Sequence, residues 1–483
     1  MRSVGFLITA IIAGMLSVAC LDGGYQRAGA QVGEPPNIIH IMTDDNNANT
    51  MSVMDNAKAG IRDAGALFPN AYFNTSLCCP SRATQQTGLY PHNTGVYDNH
   101  APNGGYPVFK SAGNEPHTYG VWADRAGYQT AFFGKHLNDY LQDDPSGQPT
   151  AKPLGWDFWH ATAGDPQKHQ AVINGTIQPM NKLHDEFVAD EGIGWIRNHA
   201  ADPGPFLTVL SFYAPHNPAE HPANLDSQFT NTSYPKTPAW NEPDMTDKPA
   251  FMRAYRSITS AQESVMLEHY RDRLRAIKYV DSRIGELLDT LQTNGQLDST
   301  YIIFWADNSN HVGEHRARDH ASGGKGLPHT IDSKMPLWIR GPGIAPGTVN
   351  SAPIAAVDIA PTVADMANAT TTRPIDGRSF LPLAEGADPA WRKYVYAEFP
   401  QGAVSNAGIP VWSALYGPEA QYHQYAGGER ELYRTATDPY QINNVLYPRI
   451  SSAEQTEINN YKAIITKMKT CDAAACRTAE ASP

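Results

Sequence analysis

An α/β fold built on a doubly wound parallel sheet, followed by a smaller α+β region, is predicted by three features of this 483-residue sequence. Apolar runs of strand length alternate with helix-period segments over most of the chain, as in parallel sheets covered by helices on both faces. Two of those runs end abruptly in acidic or amide residues, where open α/β sheets gather their functional groups. Beyond about Arg373 the alternation gives way to short strand-like pieces and turns ("YVYAEF", "ERELYRTATDPYQINNV") and then a helix ("SAEQTEINNYKAIITKMK").

The first element is not part of the fold. "MRSVGFLITAIIAGMLSVAC" carries one Arg and then an apolar run from Val4 to Val18 that is too short for an ordinary membrane span. Residues 1–30 therefore read as an export signal, cleaved after Ala19 or Ala30. Cys20 offers lipid anchoring as an alternative, disfavoured by Ser17. No later run is long and apolar enough to cross a bilayer, so the protein is expected to be periplasmic or secreted. Lys and Arg number 37 against 49 Asp and Glu, a net charge of −12, which argues against general nucleic-acid binding. Cys471 and Cys476 suit a local disulfide in an exported chain. Asn74, Asn174, Asn231 and Asn368 each begin an N-x-S/T sequon.

The main region is expected over residues 36–372 and the antiparallel subdomain over 373–483. "NIIHIM" from Asn37 reads as a buried parallel strand running into Thr43-Asp44-Asp45. "TYGVWADRAGYQTAFFGKH" reads as helix, turn and strand, "EFVADEGIGWIRNHA" as a helix, and "PFLTVLSFY" as a buried strand entering "APHNP". An amphipathic helix from Ser264 to Asn294 precedes the strand "YIIFWA", which ends in Asp307-Asn308.

Strand ends thus bring up Asp44, Asp45, Asp307 and Asn308. Three carboxylates and an amide oxygen suit a hard cation, Ca²⁺ or Mg²⁺, better than Zn²⁺. In "LCCPSRATQQTG", Pro80 is placed for the first position of a helix and Gly88 just past its end. Cys78 would then immediately precede a helix N-terminus, with Arg82 on the same face. A cysteine beside a helix start, an arginine and a divalent cation suits nucleophilic chemistry on an oxyanion ester.

"CCPSRATQQTG" resembles the sulfatase signature, Cys-x-Pro-Ser-Arg followed at fixed distance by Thr-Gly. Further segments resemble the same family in order: "PNIIHIMTDDNN", "GYQTAFFGKH", "APHNP", "ADNSNHVGEH", "GGKG", "MPLWIRGPGI" and "DGRSFLP". The doubled cysteine, "YPHN", "GKHLNDY" and "PLGWDFW" are similar to the glucosamine-6-sulfatase-like branch. The resemblance implies an alkaline-phosphatase-like fold and hydrolysis of an aryl or sugar sulfate monoester. It also implies a maturation enzyme that oxidises Cys78 to formylglycine, whose hydrate is the nucleophile. Asp44, Asp45, Asp307 and Asn308 match the ligands of one Ca²⁺, completed by the modified Cys78. Arg82 matches the residue that steadies the formylglycine, Lys135 and Lys325 the lysines on the sulfate oxygens, and His216 the proton donor to the leaving alcohol. A phosphonate or phosphodiester hydrolase on the same site, and a non-catalytic binder of sulfated glycans, are the alternatives.

The sequence departs from the family pattern in four places. Lys135-His136-Leu137 stands where Lys-Trp-His is common, and Gln86 replaces an aliphatic residue. Ser309 replaces a glycine, and His329-Thr330 stands where Tyr-Glu is common. His311, His315 and His320 read as loop or pocket-lining residues.

Overall fold

The computed structural model describes residues 35–140, 152–162, 169–199, 201–317, 324–399 and 408–481. The export signal with Cys20, and His320, lie outside the described residues.

The described strands are β1 (Asn37–Thr43), β2 (Ala66–Phe68), β3 (Ala71–Tyr72), β4 (Gln129–Lys135), β5 (Phe158–Thr162), β6 (Gln170–Ile173), β7 (Thr176–Pro179) and β8 (Phe206–Ser211). They continue with β9 (Thr300–Ala306), β10 (Leu337–Arg340), β11 (Thr348–Val349), β12 (Ile354–Ala355), β13 (Val395–Phe399), β14 (Trp412–Tyr416), β15 (Ala420–Tyr425) and β16 (Arg430–Arg434). The main sheet runs β11-β2-β10-β9-β1-β8-β4-β5-β6-β7, β12 pairs with β3, and β13 to β16 form a separate sheet.

The five central strands β9, β1, β8, β4 and β5 are parallel, as the alternation predicts. Every residue of β1, β8 and β9 is buried, which explains runs with no polar alternation. At its flanks the doubly wound sheet turns mixed: β10 is antiparallel to both neighbours, and β5, β6 and β7 form a meander. Asn174-Gly175, with φ of 48° and 91°, makes the tight turn between β6 and β7. An Asn-Gly pair is the standard short-range hairpin signal, so this reversal is legible in the sequence.

Register decides where the functional residues fall. Thr43 lies opposite Ala306, and Ser211 opposite both Met42 and Gly134. The residues just beyond β1, β9, β8 and β4 therefore share one edge of the sheet, at the strands' C-terminal ends.

The helix Cys78–Thr87 lies against that edge with all ten of its residues buried and ends on Gly88 at φ 70°. It begins two residues earlier than Pro80 predicts: Leu77 is the N-cap and Cys78 the first helical residue. Proline is tolerated throughout the first turn, where the missing N–H has no intrahelical acceptor to lose, so Pro80 limits the start without fixing it. Gln85 Nε2 donates to Ala306 O at 3.0 Å, and Ser81 Oγ bonds to Asp307 O, tying the helix to the end of β9.

The long helix spans Ser260–Thr293, four residues earlier than its apolar period suggests, because Thr259 and Gln262 form a capping box. In the small sheet, β13 to β16 follow one another as antiparallel hairpins, backed by the helices Ser452–Met468 and Ala473–Ala481. The Cys471–Cys476 disulfide joins the ends of those two helices. Trp412 Nε1 donates to Gly326 O at 2.8 Å and Tyr416 OH to Pro328 O at 2.7 Å. The small sheet thereby grips the loop that carries Lys325.

A buried ionic network fixes the surroundings of this sheet. Arg392 forks onto both oxygens of Asp358 and donates from Nε to Glu480 Oε2 at 2.8 Å; Arg378 Nη2 reaches that same oxygen at 2.8 Å, and Tyr90 OH takes Glu480 Oε1. The sequon at Asn74 is structural. Its side chain is fully buried, donating to Tyr396 O at 2.7 Å and accepting from Val357 N–H at 2.8 Å.

Candidate active site

Asp44 and Asp45 leave β1, Asp307 and Asn308 leave β9, and in-register pairing puts the two dipeptides side by side. Asp307 N–H donates to Thr43 O at 3.0 Å and Asp45 N–H to Asp307 Oδ1 at 3.1 Å. Asp45 sits at φ 55°, a conformation uncommon for a non-glycine residue. Arg273, from the long helix, anchors it by donating from Nη2 to Asp45 O at 2.5 Å and from Nη1 to Pro215 O at 3.0 Å.

Cys78 points into this group. Its Sγ is 3.5 Å from Asp44 Oδ1, 3.8 Å from Asp45 Oδ1 and 2.8 Å from Lys325 Nζ. Lys325 also bonds to Asp45 Oδ1, and Lys135, leaving β4, bonds to Asp44 Oδ2 with its ammonium 5.0 Å over the Tyr213 ring. Arg82, one turn after Cys78, donates from Nε to Asp307 Oδ2 at 2.7 Å. Its Nη1 reaches Lys135 O and Ser211 Oγ at 2.7 and 2.8 Å, and Nη2 lies 3.4 Å from Asp44 Oδ2. One guanidinium thus staples the ends of β4, β8 and β9.

His216 follows β8 in "APHNP" and places Nε2 3.6 Å from Asp45 Oδ2. Its Nδ1 lies 2.7 Å from Asn217 O; a carbonyl only accepts, so Nδ1 carries the hydrogen and Nε2 faces the cluster. All nine residues singled out from the sequence therefore converge at one edge of the sheet. Cys78 is 1 % exposed, and Asp44, Asp307 and Asn308 are fully buried.

The electrostatics are those of charges crowded out of water. Burial opposes ionisation of Asp44, but Lys135, His216, Arg82 and Lys325 outweigh it and hold the carboxyl well below its usual range. Asp45 is lowered in the same way, chiefly by Lys325 against burial. Asp307 goes the other way, raised by burial and by facing Asp44. Burial and Asp44 push the Cys78 thiol far above its ordinary value, so an unmodified thiol here would be a poor nucleophile.

The donor set fits a hard cation. Asp44, Asp45, Asp307 and Asn308 are all oxygen donors, the carboxylates repel one another, and the buried Asn308 Oδ1 has no hydrogen-bond partner among the described residues. Asn308 Nδ2 is already committed to Asp45 Oδ1 and Ser309 O, at 2.7 and 2.8 Å. A cation held by these oxygens would satisfy the orphaned amide oxygen and the crowded carboxylates together.

Sequence reasoning missed the residues that hold the site from outside. Asp185 accepts from the N–H groups of Tyr213 and Ala214 at 2.6 and 3.0 Å, bracing the loop that bears His216. Arg273 carried no signal on an amphipathic helix; Asp185 had only the weak mark of an acid in a helix's first turn. His136 lies in a cage of Tyr106, Phe132, Tyr140 and Trp159, where burial pushes its pKa down to about 3. His311 and His315 lean on Asp332 and Glu242.

Residues 36–369 match the family model Sulfatase, and residues 319–469 match N-sulphoglucosamine sulphohydrolase, C-terminal. The chain is 27 % identical to N-acetylglucosamine-6-sulfatase of Homo sapiens, over 98 % of this chain and 90 % of that one. It is 29 % identical to an arylsulfatase of Volvox carteri, over 93 % and 77 %. Among solved structures, a protein in complex with its substrate D-glucosamine-2-N,6-O-disulfate superposes with a TM-score of 0.75 at 22 % identity, over 90 % of this chain and 98 % of that one. Phosphonate monoester hydrolase of Agrobacterium radiobacter gives 0.68 at 22 %, over 89 % and 95 %. At such identities the structural likeness speaks for the fold alone, the alkaline-phosphatase-like α/β architecture with a small C-terminal sheet. The family model, spanning more than half of the chain, decides the rest: this protein belongs to the sulfatase family, hydrolases of sulfuric ester bonds.

Proposed function

We propose that the protein hydrolyses the sulfate monoester of an amino sugar, with 6-sulfated N-acetylglucosamine as the leading substrate, through formylglycine at position 78 and one Ca²⁺ held by Asp44, Asp45, Asp307 and Asn308. The observation that carries this reading is the convergence of Cys78, two lysines and an imidazole on an oxygen cluster that contains an orphaned buried amide oxygen. The depth of the Cys78 thiol, and its raised pKa, support replacement of the thiol by a more reactive group. When present, Ca²⁺ and the aldehyde hydrate supply positive charge beside the sulfate and an acidified hydroxyl.

The remaining work falls to side chains. Lys135 and Lys325 bind the sulfate oxygens and neutralise the charge that grows on them, as preorganised cations in a buried site do. His216, with Nδ1–H fixed on Asn217 O, turns Nε2 to the departing alcohol and donates there once the ring is protonated, a form that burial opposes and the facing Asp45 and Asp44 favour. Arg82 keeps Asp44 and Asp307 in place and orients the start of the helix that carries position 78. The relatives named for N-acetylglucosamine-6-sulfate support the amino-sugar substrate, and a relative named as an extracellular sulfatase, of Drosophila melanogaster, supports export to the periplasm or beyond. Maturation then requires a formylglycine-generating enzyme.

A panel of N-acetylglucosamine-6-sulfate, an aryl sulfate and a phosphonate monoester tests the substrate. Preference for the sugar sulfate is expected; dominant turnover of the phosphonate would replace this reading with that of a phosphonate hydrolase. Mass spectrometry of the peptide containing residue 78 tests the nucleophile, since an intact thiol in active protein would overturn it. A non-catalytic glycan binder would show no turnover and would keep its binding in Cys78→Ala.

A further inference from the structure

His329, which departs from the family pattern, lies four residues after Lys325 and meets the small sheet in the interior. His329, His423 on β15 and Glu431 on β16 are each fully buried, and His423 and Glu431 are cross-strand partners. Glu431 Oε2 is 3.4 Å from His423 Nδ1, and Oε1 is 3.5 Å from His329 Nε2. One ligand atom from each of the three residues lies within 4.8 Å of the other two.

Two further observations point to a bound ion. Among the described residues neither ring nitrogen of His329 has a hydrogen-bond partner, nor has Nε2 of His423, although unpaired buried polar atoms are costly. His329 Nε2 is aimed at Glu431 at a distance too long for a good hydrogen bond. The carboxylate of Glu431 is also short of positive charge. It accepts from Tyr425 OH and Tyr433 OH, both at 2.6 Å, but no Lys or Arg among the described residues pairs with it. Lys248, 5.4 Å from the Tyr433 ring centroid, is committed to Glu242 and Asp247 at 3.1 and 2.8 Å. A buried carboxylate without a cation is costly. Burial also favours the neutral, metal-ligating form of the His329 ring.

We propose that His329, His423 and Glu431 form a second metal site, for one Zn²⁺ or a similar borderline divalent ion, which clamps the small sheet to the loop bearing Lys325. Two imidazoles and a carboxylate are typical zinc donors, with bonds of about 2.0–2.2 Å that set tetrahedral ligand atoms about 3.3 Å apart. The two Glu431–His separations, 3.4 and 3.5 Å to the two carboxylate oxygens, are close to that value. His315 packs on His329 with ring centroids 4.4 Å apart and is held on Glu242 by Nδ1 at 2.6 Å, outside the three-residue ligand group. This site has soft-borderline donors, whereas the strand-end cluster has only oxygens, so the two sites select different ions.

The test uses the full-length protein, first saturated with Ca²⁺, then titrated with Co²⁺ as a visible probe and back-titrated with Zn²⁺. One equivalent of Co²⁺ is expected to give ligand-field absorption that Zn²⁺ abolishes, and Zn²⁺ is expected to raise the melting temperature. His423→Gln is expected to weaken Co²⁺ binding at least tenfold, while His169→Gln, in a separate partly exposed cluster, leaves it unchanged. Absence of the bands in the unaltered protein, or bands undiminished in His423→Gln, would overturn the proposal in favour of imidazolium pairing with Glu431. Should His423→Gln fail to fold, zinc-edge X-ray absorption of the unaltered protein decides: imidazole scattering supports the site, and an oxygen-only shell refutes it.

Discussion

The strand-end cluster and the network around Arg392 are both buried assemblies of carboxylates and cations, yet they are built to opposite ends. In the Arg392 network all four carboxylate oxygens of Asp358 and Glu480 have donors, several from forked guanidinium groups, and Asp358 is further held by the N–H groups of Ala355 and Arg378 at 2.9 and 3.0 Å. Every carboxylate oxygen is taken, and the atom left over among the described residues, Arg378 Nε, is a donor rather than an acceptor. The strand-end cluster leaves Asn308 Oδ1 without a partner, holds Asp45 at positive φ, and meets its carboxylates with two lysines whose compact ammonium groups are free to take other oxygens. Burying charge therefore says little about purpose; the unsatisfied acceptor and the two lysines set beside Arg82 say more.

Substitutions can break this comparison, and the largest effect belongs to the open cluster. Cys78→Ala should lower turnover at least about 10⁴-fold while the melting temperature holds, read by steady-state kinetics beside calorimetry. A matching loss of stability would mean that Cys78 acts as packing. Arg392→Met should do the reverse, costing about 3–5 kcal/mol because it strands buried carboxylates, with turnover per folded molecule preserved; urea unfolding and active-site titration separate the two. Lys325→Ala should cost about 10²-fold in turnover and, by freeing Asp45 from its ammonium, leave Ca²⁺ binding intact or tighter by calorimetry.

The smallest effect is a pH slope. His136 titrates near 3 in the fold because burial excludes its charge, against about 6.5 when unfolded. Between those values the unfolded chain binds a proton that the folded chain refuses, so stability falls as pH drops below about 6.5, by about 1.4 kcal/mol per pH unit from this residue. His136→Phe should flatten the slope of unfolding free energy between pH 6 and 4 by about that amount. An unchanged slope would mean that burial does not exclude the charge of His136.

Much of this was legible in the sequence. Buried parallel strands announce themselves as unbroken apolar runs, and their polar ends, Asp44-Asp45 and Asp307-Asn308, mark the functional edge because in-register pairing leaves little freedom about where they lie. The helix at Cys78 was legible in outline, but Pro80 only bounds its start. What stayed hidden depends on contacts across long stretches of chain: Arg273 reaching Asp45, Asp185 bracing Tyr213, Gln85 capping the end of β9. None has a local signature, since an arginine on a helix face or a glutamine near its end looks the same whether it meets water or a carbonyl. The antiparallel flanks were hidden for another reason, as short edge strands carry few residues on which a period can register.

The bond between Tyr90 and Glu480 joins positions 390 residues apart. Until synthesis passes residue 480, the network around Arg392 stays open and the segment just after the nucleophile helix lacks that anchor. Pairings so remote in sequence make folding slow and late. For the export and the conversion of Cys78 proposed above, a long interval before closure would let the chain cross a membrane unfolded and would leave Cys78, buried in the folded protein, open to modification beforehand.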